Sequence, residues 1–459
     1  MNLSRALAEF VANTTYEMIP AEVIAVQKKS IMDAVAVTLG AGTLGDGCRQ
    51  MVKIADSLAA NGTPEATVIG FNRKLPMAWA AFANASMAHS LDFGDTHQKS
   101  TAHSNSSGFP AALAVAEQMG GVDGKQFLTA LVVGSEVAIR IALAADINTM
   151  DYGFYPPTIF SSFGATAAVA KLMGLTAEQI VSAFSFNLCQ TTCSSELSNN
   201  PRTVIRSVRE AFAARNAIVS CCMAKEGLIG FEAPLEGELG LYHALVRDQY
   251  TPERALTGLG TDFEAGKLSF KAWPCCFGCH STITATLQLM QEHSLSAADI
   301  LHAQVFVGAQ NRVLFEPPEQ RRNPETAIIA KFSIPYNFAL AAIEHDVNLN
   351  SYTPEKLHDP ALRALAAKVD YTYVEEWQRG QEANTKLVLD TTKGTFETFV
   401  TAPFGTTENP MSDETFDLKF DSCAANAICP RTAAEQAELK VTIRRTETLA
   451  DIRQLAALL

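Results

Sequence analysis

Apolar residues recur at three- and four-residue spacing through most of the first 260 residues, and short breaks rich in Gly, Pro and Asn separate the runs. This period predicts helices over residues 76–87 and from Asp123-Gly124 to about residue 145. Thr176 and Gln179 have the spacing of a capping box at the start of another helix. Glycines follow the predicted ends of further helices, at Gly40, Gly174 and Gly227. We therefore expect the first part of the chain to be helical throughout.

The pattern changes after about residue 267, where strand-like segments appear. Residues 301–307 and 387–389 are strand-like, and residues 391–394 have the composition of a hairpin turn before the alternating segment 396–400. Further helices are predicted between these strands and near the end of the chain, at 281–292, at 335–344 and from Ser412 onward. This region therefore mixes helices and strands.

The length of the chain, 459 residues, exceeds what one ordinary hydrophobic core supports, so two domains are expected. The fold class predicted is mainly α. A large all-helical body covers residues 1–267, a smaller α+β lid domain covers 268–402, and a C-terminal helical segment, 403–459, returns to the body.

Charge and composition exclude several classes of protein. The formal net charge is −13 and no run of Lys or Arg occurs, which argues against a nucleic-acid partner. The N-terminus lacks the apolar core of a signal peptide, and the apolar stretch 127–144 is interrupted by Glu136 and Arg140, as in a buried helix rather than a membrane span. We expect a cytoplasmic protein whose ten cysteines are thiols.

The densest group of titratable side chains lies in residues 89–103, which contain two acids, three histidines, a threonine and a lysine. If the preceding helix continues, Asp92 and Thr96 share one of its faces. His103 titrates near neutrality, as a general acid or base requires. A polar network that caps the helix end explains the same residues, and the two interpretations stay open.

A second cluster contains three cysteines between Lys271 and His280, at Cys275, Cys276 and Cys279. Its Cys-x-x-Cys-His spacing is that of haem c attachment, which requires export. A zinc or iron–sulfur site needs further ligands, and no second cysteine pair of matching spacing occurs. We therefore expect no metal. The segment is interpreted as a strand, 270–273, that turns at Pro274 into a helix near His280 and places Lys271 and His280 at a cleft edge.

Two further features leave alternatives open. Arg202, Arg206 and Arg209 share one face if they lie on a helix, and that face is either solvated or a clamp that binds carboxylates through guanidinium groups. Tyr336 follows a predicted helix start at Pro335, and its hydroxyl points either into a cleft or into the core.

Taken together, these segments resemble the MmgE/PrpD family. Residues 88–97, Ala-His-Ser-Leu-Asp-Phe-Gly-Asp-Thr-His, are similar to the family motif His-Ala-Leu-Asp-Phe-Asp-Asp-Thr-His, and further segments match in the family's order, at 163–175, 212–216, 271–280 and 331–336. The resemblance spans nearly the whole chain. It implies a large helical domain built from both termini, a smaller α+β lid and a homodimer that works without metal or organic cofactor.

The resemblance also assigns residues. Asp92, Thr96 and His103 match the catalytic segment of the family, while Lys271 and His280 match the segment of the lid that closes over the substrate, and Tyr336 matches a family tyrosine. Three residues depart from the family pattern. They are Arg206, where the family often has a lysine, Tyr155, where it often has a histidine, and Gly94, which replaces the middle acid of the first motif.

The activity implied is cofactor-independent proton abstraction next to a carboxylate of a small di- or tricarboxylic acid, and we expect a carbon–oxygen lyase of the dehydratase type. His103 acts as general base or acid, Asp92 orients it or transfers the second proton, and Thr96 hydrogen-bonds the substrate. The substrate-binding residues expected are Arg206, Lys271, His280, Tyr336 and Tyr155. The alternatives are a cis-aconitate-type decarboxylase, an epimerase of an iminodisuccinate-like dicarboxylate, and a degenerate protein that binds carboxylates without turnover.

Overall fold

A computed structural model of the chain describes residues 2–198, 200, 203–377 and 380–459. The α-helices of this part are α1 (Leu3–Asn13), α2 (Ala21–Leu44), α3 (Cys48–Leu58), α4 (Met77–Ala88), α5 (Ser104–Met119), α6 (Gly124–Ala144), α7 (Pro156–Leu172), α8 (Ala177–Gln190), α9 (Ile205–Val208), α10 (Glu210–Lys225), α11 (Leu241–Val246), α12 (Glu253–Leu256), α13 (Phe277–Glu292), α14 (Pro318–Arg322), α15 (Ala327–Lys331), α16 (Ile334–Glu344), α17 (Pro354–Leu357), α18 (Pro360–Ala366), α19 (Asp413–Ala424), α20 (Ala433–Arg444) and α21 (Arg453–Ala456). The strands are β1 (Ala66–Val68), β2 (Arg73–Leu75), β3 (Asp95–Thr96), β4 (Ser269–Phe270), β5 (Ile300–Gly308), β6 (Val369–Val374), β7 (Thr385–Thr391) and β8 (Gly394–Val400).

The chain forms two compact units. One contains Met1–Leu268 together with Asp417–Leu459, and the other contains Ser269–Phe416. The first unit is helical apart from short strands, and the second contains a four-stranded sheet, so the mainly α fold class is confirmed. The second unit continues to Phe416, past residue 402, where the sequence pattern places the end of the α+β domain.

The core of the first unit is a group of buried helices in which α5, α6 and α7 pack against one another. Capping boxes start two of its helices, and the one at Thr176 and Gln179 confirms a prediction from the sequence. The Asp123 carboxylate accepts a hydrogen bond from the Gln126 amide at 2.9 Å, and Thr176 and Gln179 form the same reciprocal pair at the start of α8. Each cap satisfies backbone donors that have no partner within the helix.

Helix α6 is long and apolar enough to cross a membrane, yet 94% of its apolar segment is buried inside the protein, as predicted for a core helix. The two charged residues of this apolar segment form a buried pair, with Arg140 Nε 2.5 Å from a Glu136 carboxylate oxygen. Arg140 also donates to the backbone carbonyls of Ala255, Thr257 and Asp262, and Glu136 accepts from backbone amides near residue 265. Every charge is therefore paired and hydrogen-bonded, as burial requires.

The second unit is built on a sheet of order β6-β5-β7-β8, in which β5 pairs parallel with β6 and antiparallel with β7. Buried and more exposed residues alternate along β5 and β7, and their buried side chains join those of α13 and α16 in one hydrophobic core. The strands, the hairpin turn at residues 391–394 and the helices predicted at 281–292 and 335–344 are confirmed.

Two details of the predicted pattern are wrong. Gly40 lies inside α2 rather than after its end, and a Cβ there would lie 3.0 Å from the Cys423 carbonyl oxygen, so this glycine permits close packing instead of capping a helix. The strand predicted at 270–273 is limited to β4, and α13 begins at Phe277, three residues before His280.

The close approach of α6 and α7 depends on glycine. A Cβ on Gly164 would lie 2.6 Å from the Gly134 carbonyl oxygen and 2.7 Å from the Ala138 Cβ. We predict that Gly164→Ala lowers the free energy of unfolding by about 1–3 kcal/mol, because overpacking forces the two helices apart. Urea unfolding followed by circular dichroism measures this change.

Gly108→Ala in α5 is the matched control, because its Cβ would meet nothing nearer than the Asn105 side chain at 3.6 Å. The control should be neutral or stabilise the helix by roughly 0.5–1 kcal/mol. Equal unfolding midpoints for the two variants would show that the contact between α6 and α7 has room for a methyl group.

Candidate active site

The loop between α4 and α5 carries the first group of predicted site residues. Helix α4 ends at Ala88, and Asp92 has a left-handed backbone with φ of 54°, so the expectation that Asp92 and Thr96 share a helical face is wrong. Thr96 lies in the extended strand β3, and His103 precedes the first residue of α5. Aspartate tolerates the left-handed conformation better than most residues, which lets the chain turn here instead of continuing the helix.

The imidazole of His103 is oriented by the backbone. Its Nδ1 lies 2.7 Å from the Asp95 carbonyl oxygen. A carbonyl oxygen only accepts, so Nδ1 carries the proton and the neutral ring has its lone pair on Nε2. His103 is 9% exposed, and a buried imidazole held in one tautomer is suited to proton transfer.

His89 contacts both His103 and Asp92. Its ring centroid is 4.6 Å from that of His103, its Nε2 is 3.9 Å from an Asp92 carboxylate oxygen, and its Nδ1 is 3.4 Å from the Ser106 hydroxyl. All four residues are buried. His89 lies in the sequence motif but was not predicted as a site residue, although its place in the dense 89–103 segment was a usable signal.

The side chain of Asp95 belongs to a buried polar network beneath this loop. One carboxylate oxygen accepts a hydrogen bond from Ser30 at 2.5 Å and lies 3.4 Å from the Asn105 amide nitrogen. Burial and the neighbouring Asp33 carboxylate raise the pKa of Asp95 to about 7, against the opposing effects of Ser30, Asn105 and Lys419. No local sequence signal indicates that Asp33 and Lys419 are neighbours, because they lie near opposite ends of the chain.

His97 has a different role from His103. Its Nε2 is 3.2 Å from a Glu264 carboxylate oxygen and its Nδ1 is 2.9 Å from the Ser100 hydroxyl, so both nitrogens are engaged in the fold. The hydrogen bond from His97 lowers the pKa of Glu264 to about 2, although partial burial opposes the shift. This pair stabilises the end of the loop.

Two of the residues that depart from the family pattern are in contact. Arg206 Nη2 donates to the Tyr155 hydroxyl at 3.3 Å, and the guanidinium carbon lies 5.4 Å from the centroid of the tyrosine ring. The Arg209 guanidinium carbon lies 4.8 Å from the same ring. An arginine stacks favourably on tyrosine, whereas the histidine and lysine that the family often has would repel each other when both are protonated. The two departures therefore form one compatible pair.

The predicted face shared by three arginines is only partly described, because Arg202 lies outside the described residues. Arg206 is in α9, and Arg209 lies at the junction with α10. Arg209 is only 1% exposed, so the alternative of a solvated face is wrong for this residue. Burial lowers the pKa of Arg209, but the combined effect of its neighbours, among them Tyr155, Glu210 and Asp92, is larger and opposite. The pKa is therefore raised overall. Asp92, in the loop with His103, is therefore among the acids whose charge acts on Arg209.

The third departure from the family pattern is Gly94, and the space around it would also admit a side chain. A Cβ there would be 3.7 Å from an Asp33 carboxylate oxygen, an ordinary contact distance. An acid at this position, as in the family motif, would bring another carboxyl group towards Asp33 and Asp95 and increase the charge repulsion between them.

The other three predicted residues lie in the second unit. Lys271 follows β4 and is buried, and His280 is buried in the first turns of α13 between the rings of Trp273 and Phe277, at centroid distances of 5.2 and 5.3 Å. Burial alone would raise the pKa of Cys275, but a hydrogen bond with Cys279 and the nearby His280 and Lys271 lower it below its usual range. Lys271 and His280 are thus neighbours of one thiol.

Tyr336 lies in the core of the second unit. Its hydroxyl donates to the Ser351 carbonyl oxygen at 3.3 Å, and burial raises its pKa. This placement corresponds to the core alternative for Tyr336. Among the described residues, no group of three or more His, Cys, Asp or Glu side chains is arranged to hold a metal ion, the cysteines between Lys271 and His280 included.

A mainly helical body with this buried loop and a second unit with a four-stranded sheet corresponds to a known family. The chain belongs to the MmgE/PrpD family, since the model of the family's N-terminal domain matches residues 5–253 and that of its C-terminal domain matches residues 273–445.

Curated relatives are similar over almost the full length of the chain. A cis-aconitate decarboxylase-like protein of Aspergillus oryzae is 27% identical over 100% of this chain and 97% of that protein. The cis-aconitate decarboxylase of Aspergillus terreus is 24% identical over 99% of this chain and 95% of its own length. The human cis-aconitate decarboxylase is 25% identical over 95% of this chain and 90% of its own length.

The raised pKa of Asp95 predicts a pH dependence of stability. The folded protein retains a proton that the unfolded chain releases between about pH 4 and pH 7, so stability falls as pH rises through this range and then levels off. Asp95→Asn stays neutral. From pH 5 to pH 8 the free energy of unfolding of the wild type should therefore fall by on the order of 2 kcal/mol more than that of the variant.

Urea unfolding at both pH values measures this difference. The exposed Asp46→Asn is the control and should follow the wild type at both values. A constant difference between the wild type and Asp95→Asn would show that Asp95 is already ionised at pH 5.

Proposed function

We propose that the protein is a cofactor-independent lyase that decarboxylates a small unsaturated tricarboxylate of the cis-aconitate class. The observation that carries the proposal is the buried imidazole of His103, whose Nδ1 faces the Asp95 carbonyl oxygen and whose Nε2 is thereby assigned to proton transfer. The full-length similarity to three proteins named for cis-aconitate decarboxylation supports the choice of reaction.

The proposed reaction needs one proton and a place for one electron pair. The bond between a methylene carbon and its carboxylate breaks, carbon dioxide leaves, and the electron pair is delocalised over the adjacent double bond. Protonated His103 delivers its Nε2 proton to the far carbon of that allylic system, so that a tricarboxylate and one proton give carbon dioxide and an unsaturated dicarboxylate. His89 and Asp92 are placed to return a proton to His103, since His89 contacts both.

The cations hold the carboxylates that remain. Arg206 presents a guanidinium whose position is set by Tyr155 and by Ser198, at 3.3 and 3.2 Å. An arginine binds a carboxylate firmly but does not give up its proton at neutral pH, so Arg206 orients the substrate while His103 carries out proton transfer. Thr96 is proposed to hydrogen-bond the substrate. For Lys271 and His280 the proposed role, neutralising carboxylates, rests on the sequence resemblance alone.

Dehydration is the second candidate, and the two neighbouring imidazoles favour it. Loss of water from a hydroxy tricarboxylate needs a base that removes the proton next to a carboxylate and an acid that protonates the departing hydroxyl. His103 and His89, with ring centroids 4.6 Å apart, supply two such groups side by side. In either reaction we propose a homodimeric cytoplasmic enzyme without metal or organic cofactor.

Proton NMR in deuterated buffer with cis-aconitate, 2-methylcitrate, citrate and iminodisuccinate tests the proposal. We predict turnover of cis-aconitate to an unsaturated dicarboxylate with one deuterium per molecule. His103→Ala should lower kcat by on the order of a hundredfold or more, because the proton donor is lost. The partly exposed His243→Ala is the matched control and should retain wild-type turnover.

The products separate the alternatives. A new olefinic signal from 2-methylcitrate or citrate, with no loss of carbon dioxide from cis-aconitate, would make the protein a dehydratase. Deuterium entering an unchanged iminodisuccinate skeleton would make it an epimerase. Wild-type turnover in His103→Ala would overturn the assignment of His103 whichever reaction occurs.

A further inference from the structure

The guanidinium of Arg206 is held by hydroxyl groups through long hydrogen bonds. Its donors lie 3.3 Å from the Tyr155 hydroxyl and 3.2 Å from the Ser198 hydroxyl, at the long end of the usual range. Arg206 belongs to α9, which contains four residues and is too short to be stable by itself. A well-defined position for Arg206 and Tyr155 therefore requires support from residues packed against them.

Arg209 contacts both members of this pair. Its Nη1 donates to the backbone carbonyl oxygen of Arg206, and its guanidinium carbon lies 4.8 Å from the centroid of the Tyr155 ring. A guanidinium is planar, so it can stack on a ring with its face and donate hydrogen bonds from its edge at the same time. One side chain thus holds the backbone of Arg206 and the ring of Tyr155.

Arg209 is itself fixed by the first turns of two long helices. Its Nε donates to the Thr158 hydroxyl of α7 at 2.8 Å. That hydroxyl donates to a Glu210 carboxylate oxygen at 2.8 Å, and the same oxygen lies 3.3 Å from Arg209 Nε. All three residues are buried, and Glu210 begins α10. Arg209, Thr158 and Glu210 therefore form a closed set of contacts that connects α7 and α10 to Arg206.

Stability alone does not account for a buried arginine at this place. Arg209 Nη2 and one Glu210 carboxylate oxygen are buried and have no hydrogen-bond partner among the described residues, which costs free energy. Buried ion pairs often contribute no more to stability than apolar side chains of similar volume. The placement of Arg206 and Tyr155 is a more direct reason for the arginine.

We propose that Arg209 is a positioning residue, which holds the Tyr155 ring and the Arg206 backbone so that the Arg206 guanidinium is directed at a carboxylate of the substrate. Arg209 is only 1% exposed, so it acts through these two residues and not on the substrate itself. The inference rests on the proposed function in one respect, the assignment of substrate binding to Arg206. The positioning of Tyr155 is a property of the fold and can be measured without substrate.

Fluorine NMR of the protein with 3-fluorotyrosine at position 155 tests the positioning directly. The wild type should give one narrow resonance. Arg209→Lys keeps the charge but cannot stack and donate from a planar edge, so the resonance should shift and broaden. Arg140→Lys changes the other buried arginine–glutamate pair of the helical unit, whose contacts are to Glu136 and to backbone carbonyls, and it should leave the resonance unchanged.

Steady-state kinetics with cis-aconitate test the consequence for substrate binding. Arg209→Lys should raise KM about tenfold, the loss of one charged hydrogen bond, and leave kcat nearly unchanged, because Arg206 holds the substrate equally in the ground state and the transition state. Adding Arg209→Lys to Arg206→Gln should not raise KM further, because Arg209 acts through Arg206.

Thr158 supplies a second, milder pair of variants, which decides the question if circular dichroism shows that Arg209→Lys does not fold. Thr158→Val removes the hydroxyl between Arg209 and Glu210 and should shift the resonance and raise KM, whereas Thr158→Ser keeps the hydroxyl and should restore both. Thr166→Val is the matched control, since Thr166 is buried in the same helix and its hydroxyl donates to the Ser162 carbonyl oxygen.

The proposal is overturned by an unchanged fluorine resonance in a folded Arg209→Lys, or by the same change in Arg140→Lys. Independent, additive effects of Arg209→Lys and Arg206→Gln on KM would also overturn it, because they would show that Arg209 does not act through Arg206. A wild type that leaves cis-aconitate unchanged would contradict the proposed function instead, and the fluorine resonance would then test the positioning alone.

Discussion

Two buried carboxyl groups, Asp33 and Asp95, and a buried lysine, Lys419, form a cluster beneath the loop that carries His103. Lys419 Nζ lies 2.5 Å from an Asp33 carboxylate oxygen and donates to the Phe93 carbonyl oxygen at 2.6 Å, so one cation holds both an acid of α2 and the turn of the loop. Burial and the negative charge of Asp33 drive the second acid, Asp95, towards its neutral form. The Asp95 backbone in turn fixes the tautomer of His103. The geometry of the candidate site therefore depends on this cluster.

Two buried arginine–glutamate pairs in the helical unit show how the same chemistry can have different roles. Arg140 and Glu136 have their hydrogen bonds completed by backbone groups, and the pair connects α6 to residues 255–265. Arg209 and Glu210 are equally buried, but each has an atom without a partner in the described part of the chain. A satisfied pair stabilises the fold, whereas a buried polar atom without a partner costs free energy.

The departures from the family pattern are also connected through space. Tyr155 and Arg206 are 51 residues apart in the chain and hydrogen-bond to each other. Replacing a histidine and a lysine by this pair exchanges two groups that can deliver protons for one that stacks and one that stays charged. In the proposed reaction, proton transfer then falls to His103, His89 and Asp92. This distribution suits a reaction that needs a single proton, as decarboxylation does.

The sequence by itself determined the elements with strong local signals. Periodicity and caps identified α4, α6, α8, α13 and α16. Strand-like segments identified β5 and β7, and alternation identified β8, because these patterns arise from contacts within one element or one face. The motif at 88–97 also located the loop of the candidate site. The backbone of this loop was not predicted, since α4 ends at Ala88 and Asp92 adopts a left-handed conformation that the local pattern does not indicate.

Only the tertiary structure decided which groups share an environment. Asp33, Asp95 and Lys419 come from distant parts of the chain, and the orientation of His103 and the unsatisfied edge of Arg209 follow from neighbours that no spacing rule identifies. Local patterns report which face of a segment is buried, but charges, tautomers and cavities are set by what packs against that face. The chemistry of the site is therefore a property of packing between segments, whereas the existence of its elements is a property of the segments themselves.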